Sequence, residues 1–382
     1  MDDAAPHLIA PQVAGSAKLP DIEALRGIAV LMVMLVHWQP MLIAWDVPLW
    51  QHIRANYLDF WPGVDIFFAI SGFVIARSLL PKLRAATTNA AFGATLVQFW
   101  IRRVWRLLPA AWLWLAFVLL CSAIFNRSGA WESFHTNFES VIAGALAVAD
   151  FRFAARFAVL PYGSTSHYWS LSLEEQFYLI LPVVVFLSGR RLVAILLLIA
   201  TILCALPETI SLMAFRAHAM VFGVLLAIFA EQPLYQRMNP TILANSRAAR
   251  WAALWGSLFF MAALAPLFQK ITPIRPGLIA IIATALVFVA SYGQHYIWAP
   301  GITKRALLWV GSRSYGIYLI HAPIFTFTRE LWFRLLPNAG PGDAWKLIAT
   351  AIPLVLVLSE LNFRLVERPL RDVGKRIAAR QG

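Results

Sequence analysis

Residues 24–38 read "ALRGIAVLMVMLVHW", an almost unbroken apolar run that nevertheless holds Arg26 and His37. Either side chain costs free energy against lipid. At 100° per residue, the steps between them return His37 to within about 20° of Arg26, roughly 16 Å further along the helix axis. Taken singly, Arg26 snorkelling to headgroups and His37 hydrogen-bonding a neighbouring helix are sufficient accounts. Two ionisable groups on one face of one span point instead to a polar path through the protein.

Comparable apolar runs recur through all 382 residues, which are 60% hydrophobic and 13% charged, with a mean hydropathy of +0.69. A soluble domain carries roughly 25% charged residues, and about 20 apolar residues cross a bilayer core. Sixteen tryptophans suit aromatic belts at two interfaces. The net charge of +13 is scattered between apolar segments rather than gathered in one basic domain, so orientation explains it and nucleic acid does not. Cys121 and Cys204 both sit in apolar stretches, without disulfide or metal-ligand spacing. The mixed, slightly acidic first twenty residues do not read as a removable signal peptide.

Hydropathy places spans near 24–43, 60–80, 105–125, 172–188, 191–207, 218–230, 251–268, 277–292, 306–327 and 347–363. Segment 141–149 is too short to count and reads as interfacial or re-entrant. With both termini in the cytoplasm, ten crossings put 21 of the 32 Lys and Arg residues inside, a positive-inside bias. The expected fold is an all-α polytopic membrane protein with about ten transmembrane helices around a polar transmembrane tunnel. Its parts are a cytoplasmic N-terminal segment 1–20, a membrane domain 21–366 and a basic cytoplasmic tail 367–382.

Four further stretches carry polar residues where lipid would exclude them. "GVDIFFAISGFVIA" (63–76) opens with Asp65 and is interrupted by Ser71-Gly72; capping and close helix packing are the bland accounts. "FWIRRVWRLLPAAW" (99–112) sets Arg102 and Arg106 four apart with Arg103 beside them, a lipid-binding cluster or a guanidinium clamp for phosphate. "SHYWSLSLEEQFYLILPVV" (166–184) places Glu174, Glu175 and Tyr178 at the head of a span, after His167. Ser170 or Ser172 would cap that helix, or the carboxylates with Trp169 and Tyr178 would bind sugar or move protons. "GSRSYGIYLIHAPI" (311–324) aligns Ser314, Tyr318 and His321 on one face, for which a hydrogen-bonded packing seam is the simpler explanation.

Taken in order, these stretches resemble the acyltransferase-3 family of integral membrane acyltransferases. "ALRGIAVLMVMLVHW" is similar to the family's signature of an arginine, ten residues, then a histidine. "GVDIFFAISGF", "RRVWRLLP", "YWSLSLEEQFY", "FRAHAMVFGVLLA" around Arg216 and Gly223, and "SYGIYLIHAPI" follow, so the resemblance covers most of the chain. It implies that 21–366 is a membrane acyltransferase domain. Such proteins take an acyl group, usually acetyl, from cytoplasmic coenzyme A to a hydroxyl, often on a surface polysaccharide or glycolipid. Arg26 and His37 match the pair considered essential, Arg102 and Arg106 the arginines of the cytoplasmic motif, and Glu174 the first glutamate of the outer motif. Some members append a soluble esterase-like domain, which is not expected here because the chain ends nineteen residues after its last expected span.

A thioester is activated, but a sugar hydroxyl is a poor nucleophile until a base takes its proton. His37 is the expected base or a transient acyl carrier, with direct transfer and an acyl-histidine both open. Arg26, Arg102, Arg103, Arg106 and Ser71 are expected on the donor, acetyl-CoA. Glu174 or Glu175 is expected on the acceptor or beside His37, with Asp65 a further catalytic candidate. Trp169, Tyr178, Tyr318, His321 and Arg216 are expected in acceptor binding or support. No metal is expected. The expected setting is a bacterial inner membrane, with acyl-CoA, a carbohydrate or glycolipid acceptor and the bilayer as partners. Succinyl stands behind acetyl, and a periplasmic glucan or small metabolite behind the surface glycan. A secondary transporter also uses intramembrane charge, but no paired halves appear. A non-catalytic scaffold gives no reason for Arg26 and His37 on one face.

Overall fold

Pro20 starts helix α1 (Pro20–Leu42), where its missing N–H leaves no helical bond unmade, and Asp21 and Glu23 complement the positive end. A short α2 (Pro48–Asn56) leads to α3 (Gly63–Ala85). Thr88 then caps α4 (Asn89–Ile124), its hydroxyl accepting from Ala91 N at 3.2 Å. Two short helices, α5 (Phe134–Ala145) and α6 (Ala149–Arg156), precede α7 (Tyr168–Ser188), α8 (Leu192–Ala205) and α9 (His218–Phe229). The remainder are α10 (Pro233–Arg237), α11 (Ile242–Asn245), α12 (Arg247–Leu267), α13 (Arg275–Ser291), α14 (Ile302–Ser312), α15 (Ser314–Leu335), α16 (Ala344–Asn362) and α17 (Arg368–Ala379). The computed structural model describes residues 19–156, 159–206, 209, 213–267 and 275–381. Of the expected N-terminal segment 1–20, all but Leu19 and Pro20 lie outside the described residues, as does the end of the expected span 251–268.

The all-helical membrane architecture is borne out among the described residues; ten separate crossings are not confirmed. Among the described residues six helical runs are long and apolar enough to cross a bilayer: Pro20–Leu42, Gly63–Ala85, Asn89–Ile124, Tyr168–Ala205, Arg247–Pro266 and Pro341–Ala379. Helix α9 and the segment Pro233–Asn245 make a seventh if counted as one span bent by 93°. The expected spans 172–188 and 191–207 run on as one stretch of 38 residues, because Gly189–Arg191 forms a single 3₁₀ turn rather than a hairpin. The expected span 306–327 divides at Arg313, whose φ of −106° and ψ of 5° leave the helix. Its guanidinium is claimed by Glu360 of α16 at 2.8 and 3.3 Å. Segment 141–149 ends α5 and turns at Ala147, so no helix crosses there.

Close backbone approach organises the centre. A Cβ at Gly72 of α3 would collide with the Met220 carbonyl of α9, and one at Gly223 of α9 with the Ala69 carbonyl of α3. Each helix thus presents a glycine to the other's backbone. Helix α1 packs against α3, α14 and α15. At its start Asp21 is buried against Lys304 Nζ (2.8 Å) and accepts from Tyr296 N (2.8 Å).

Candidate active site

Five helices line a half-open cavity, with about 720 Å³ of empty space counted out to its mouth. Arg26 comes from α1, Ser71 from α3, Arg103 and Arg106 from α4, Glu174 and Tyr178 from α7, and Tyr318 from α15. The Glu174 carboxylate accepts hydrogen bonds from the hydroxyls of Ser71 and Tyr178. The Arg103 guanidinium lies over the rings of Phe99 (5.4 Å) and Tyr178 (5.1 Å). Arg26 is 3.8 Å from Glu23. Three guanidinium groups against one lining carboxylate leave the cavity net positive, a setting for an anionic ligand read by forked donors.

Of the four arginines expected on the donor, Arg26, Arg103 and Arg106 line the cavity and Arg102 does not. On α4, Arg102 stands about 40° to one side of Arg106 and Arg103 about 60° to the other. The cavity lies on the Arg103 side, and Arg102 points away with Nη1 3.5 Å from Gln98 Oε1. Glu174, expected on the acceptor or beside His37, lines the same cavity as the arginines. Trp100 Nε1 donates to Tyr178 O (3.2 Å), which pins α7 to α4 at the level of the arginines and brings Glu174 into their cavity. Glu175, one step round α7, does not line it. Nor do Ser170 and Ser172 cap this helix, which begins at Tyr168 without a side-chain cap; both lie inside it.

A second polar group lies at the far end of α1. His37 Nδ1 is 3.0 Å from Val33 O and 3.1 Å from His321 Nε2. His321 Nδ1 is 3.1 Å from Ile317 O. The ring of His167 completes a trio, 5.2 Å from that of His321 and 6.4 Å from that of His37. Tyr318 joins the two groups: its hydroxyl meets Ser170 Oγ at 2.5 Å and donates to His167 O at 2.9 Å, while its ring lies 5.7 Å from that of His321. The cavity stops at Ser170 and Tyr318 and does not reach His37. The Tyr318 ring lies edge-on to Phe67 at 6.1 Å, and both side chains line the cavity at its His37-facing end.

Asp65, Arg216 and Trp169 form a third, separate cluster outside the cavity lining. Asp65 does not cap α3; its carboxylate is 3.6 Å from the Arg216 guanidinium, which lies between the rings of Trp61 (4.2 Å) and Trp169 (5.0 Å). His167 carried no expected role, since a polar residue just before a helix reads as loop. The spacing of Tyr315 with Ser314 and Tyr318 did hold a signal, for all three line the cavity. Among the described residues no group of histidines, cysteines and carboxylates is arranged to hold a metal ion.

A family model for an acyltransferase domain matches residues 19–360. The chain belongs to the acyltransferase-3 family. Members similar to it include the peptidoglycan O-acetyltransferase OatA of Listeria monocytogenes, 28% identical over 93% of this chain and 56% of the relative. The putative peptidoglycan O-acetyltransferase YrhL of Bacillus subtilis is 27% identical over 95% of this chain and 56% of the relative. The O-acetyltransferase OatA of Staphylococcus aureus is 26% identical over 93% and 58%. This acyltransferase-3 chain therefore spans a little over half the length of those relatives. No solved structure gives a significant match.

Proposed function

We propose that the protein is a membrane O-acyltransferase moving an acyl group, acetyl first, from cytoplasmic acyl-CoA to a hydroxyl of a cell-envelope glycan. The observation that carries this reading is the arginine-lined cavity at one end of α1, with the histidine trio at the other. Arg26, Arg103 and Arg106 hold the donor's phosphates, and Ser71 and Tyr178 fix Glu174 as their counter-charge. Two of the three relatives are named for peptidoglycan, so a peptidoglycan sugar hydroxyl is the first acceptor to test.

In the transfer, His37 takes the proton of the acceptor hydroxyl and the oxygen attacks the thioester carbonyl carbon. The C–S bond breaks, and the departing thiolate recovers the proton from His37. Tyr318 and Phe67 separate donor from histidine, so the acyl group meets His37 only when that ring pair moves aside. The test uses the purified full chain in lipid nanodiscs with acetyl-CoA and muropeptide fragments. Acceptor-dependent release of free thiol, with an acetyl ester on the glycan by mass spectrometry, supports the proposal. Folded protein that releases no thiol with any glycan, the behaviour of a transporter, overturns it.

A further inference from the structure

We infer that His321 is a positioning residue for His37, holding that ring in the tautomer whose Nε2 carries the lone pair. This rests on the reading of His37 as the base. The argument is one of donors and acceptors. His321 Nδ1 faces the carbonyl oxygen of Ile317 at 3.1 Å, and a carbonyl only accepts, so Nδ1 carries the hydrogen. A neutral imidazole has one N–H, which leaves His321 Nε2 as an acceptor. That atom is 3.1 Å from His37 Nδ1, so His37 Nδ1 must donate to it. Val33 O, 3.0 Å from the same nitrogen, makes the same demand. Both partners call for Nδ1–H on His37, and Nε2 is left free to take a proton.

The surroundings hold this arrangement in place. His321 is 0% exposed and packed between the rings of Phe325 (5.9 Å), Tyr318 (5.7 Å) and His167 (5.2 Å). His167 is itself 1% exposed and makes no hydrogen bond to His321, so it does not compete for His321 Nε2. The cation beside His37 is Arg54, whose Nη1 donates to Val36 O at 3.3 Å. It is held by both carboxylate oxygens of Asp59, at 3.1 Å each. A carboxylate could orient His37 in the same way, but it would add a charge inside the membrane. A neutral imidazole gives the acceptor without it. When His37 Nε2 takes a proton, the charge spreads to Nδ1–H and its bond to His321 becomes charge-assisted, which strengthens it in the state that follows proton abstraction.

Two measurements test this. Histidine-nitrogen NMR of isotope-labelled, unmodified protein in bilayers, assigned with His37→Asn, is expected to show His37 protonated at Nδ1 and bare at Nε2. A bare Nδ1 overturns the proposal whatever any variant does. In the second, His321→Phe fills the space without an acceptor, whereas His321→Gln offers a carbonyl oxygen. The Phe variant is expected to lose kcat by about 100-fold with donor KM within twofold, and the Gln variant to recover a large part of it. Folded His321→Phe with kcat within twofold of the parent also overturns it. If His37→Ala transfers acetyl at the full rate, the base assignment of the preceding section falls, while the nitrogen spectrum still decides what His321 does.

Discussion

Ser71 and Glu174 lie 103 residues apart in the chain and share a hydrogen bond in the cavity wall, where Tyr178 donates to the same carboxylate oxygen. Replacing Glu174 by alanine strands two hydroxyls and removes the counter-charge of three arginines. Each stranded partner costs about 1–3 kcal/mol. Glu174→Ala is therefore expected to lower acetyl transfer by about 100-fold or more, and Ser71→Ala by about tenfold. Thiol release by purified protein that still elutes as a folded species measures both; Glu174→Ala within twofold of the parent contradicts the assignment.

The arginines divide by which side of Arg106 they stand on. Arg103 stacks on Phe99 and Tyr178 and lines the cavity, whereas Arg102 reaches Gln98 and does not. Lysine keeps the charge of Arg103 but loses its planar fork and its stacking. Arg103→Lys is expected to raise the KM for acyl-CoA by about tenfold and Arg103→Ala by more, with Arg102→Ala close to the parent. Initial rates against donor concentration provide the check. A larger KM effect at Arg102 than at Arg103 would return the clamp to the pairing suggested by sequence spacing.

That division shows what sequence can and cannot carry. Arg26 and His37 were legible as a pair because 3.6-residue periodicity places both on one face of one helix, whatever surrounds it. That Arg103 lines the cavity and Arg102 does not is hidden from the sequence, where both are expected on the donor, because it turns on how α4 is rotated against α7, a matter settled by contacts such as Trp100 to Tyr178. That Glu174 shares a cavity with the arginines is hidden from the sequence for the same reason. Family membership was readable from the order of the motifs, and it holds over residues 19–360. The number of crossings was not, since Arg190 and Arg191 read as a loop where the chain makes one 3₁₀ turn. The break at Arg313 falls on a residue with no proline or glycine character, and the carboxylate that holds its guanidinium, Glu360, comes from another helix.

Asp21 and Lys304 make the most exacting demand on stability. Lys304 Nζ donates to Asp21 (2.8 Å) and to Trp298 O (2.8 Å) and also contacts His295 Nδ1 (2.7 Å), with both charged side chains almost wholly buried. Breaking a buried pair leaves an uncompensated charge and costs about 3–5 kcal/mol. Lys304→Met is expected to lower the apparent melting temperature in detergent sharply, and Asp21→Asn with Lys304→Met to recover much of it. A single variant melting with the parent would show that the pair contributes little.

Helices α3 and α9 are expected to tolerate no side chain at their crossing. A Cβ at Gly223 would meet backbone atoms of Ala69 and Phe73, which cannot move aside as a flexible side chain can. Overpacking of this kind costs about 1–3 kcal/mol. Gly223→Ala is expected to reduce the yield of monodisperse protein, and Gly223→Leu to abolish it, whereas Gly256→Ala, with open space around it, leaves it unchanged. Size-exclusion profiles of fluorescently tagged variants read this directly.

His37 divides the two chemical routes. If it carries the acyl group, its Nε2 attacks the thioester, the C–S bond breaks, and an acyl-imidazole persists until a hydroxyl arrives. If it acts only as a base, no acyl-enzyme forms and the donor stays intact without acceptor. Incubating the protein with radiolabelled acetyl-CoA alone, followed by rapid acid-free denaturation, separates the two. Label retained on the parent chain and lost in His37→Ala establishes the covalent route. Transfer to glycan from protein that never holds label establishes direct attack. On either route His37→Ala is expected to fall by at least about 100-fold, the usual contribution of a general base. A smaller loss in well-folded protein would move the chemistry away from α1 altogether, for the arginine cavity contains no histidine to replace it.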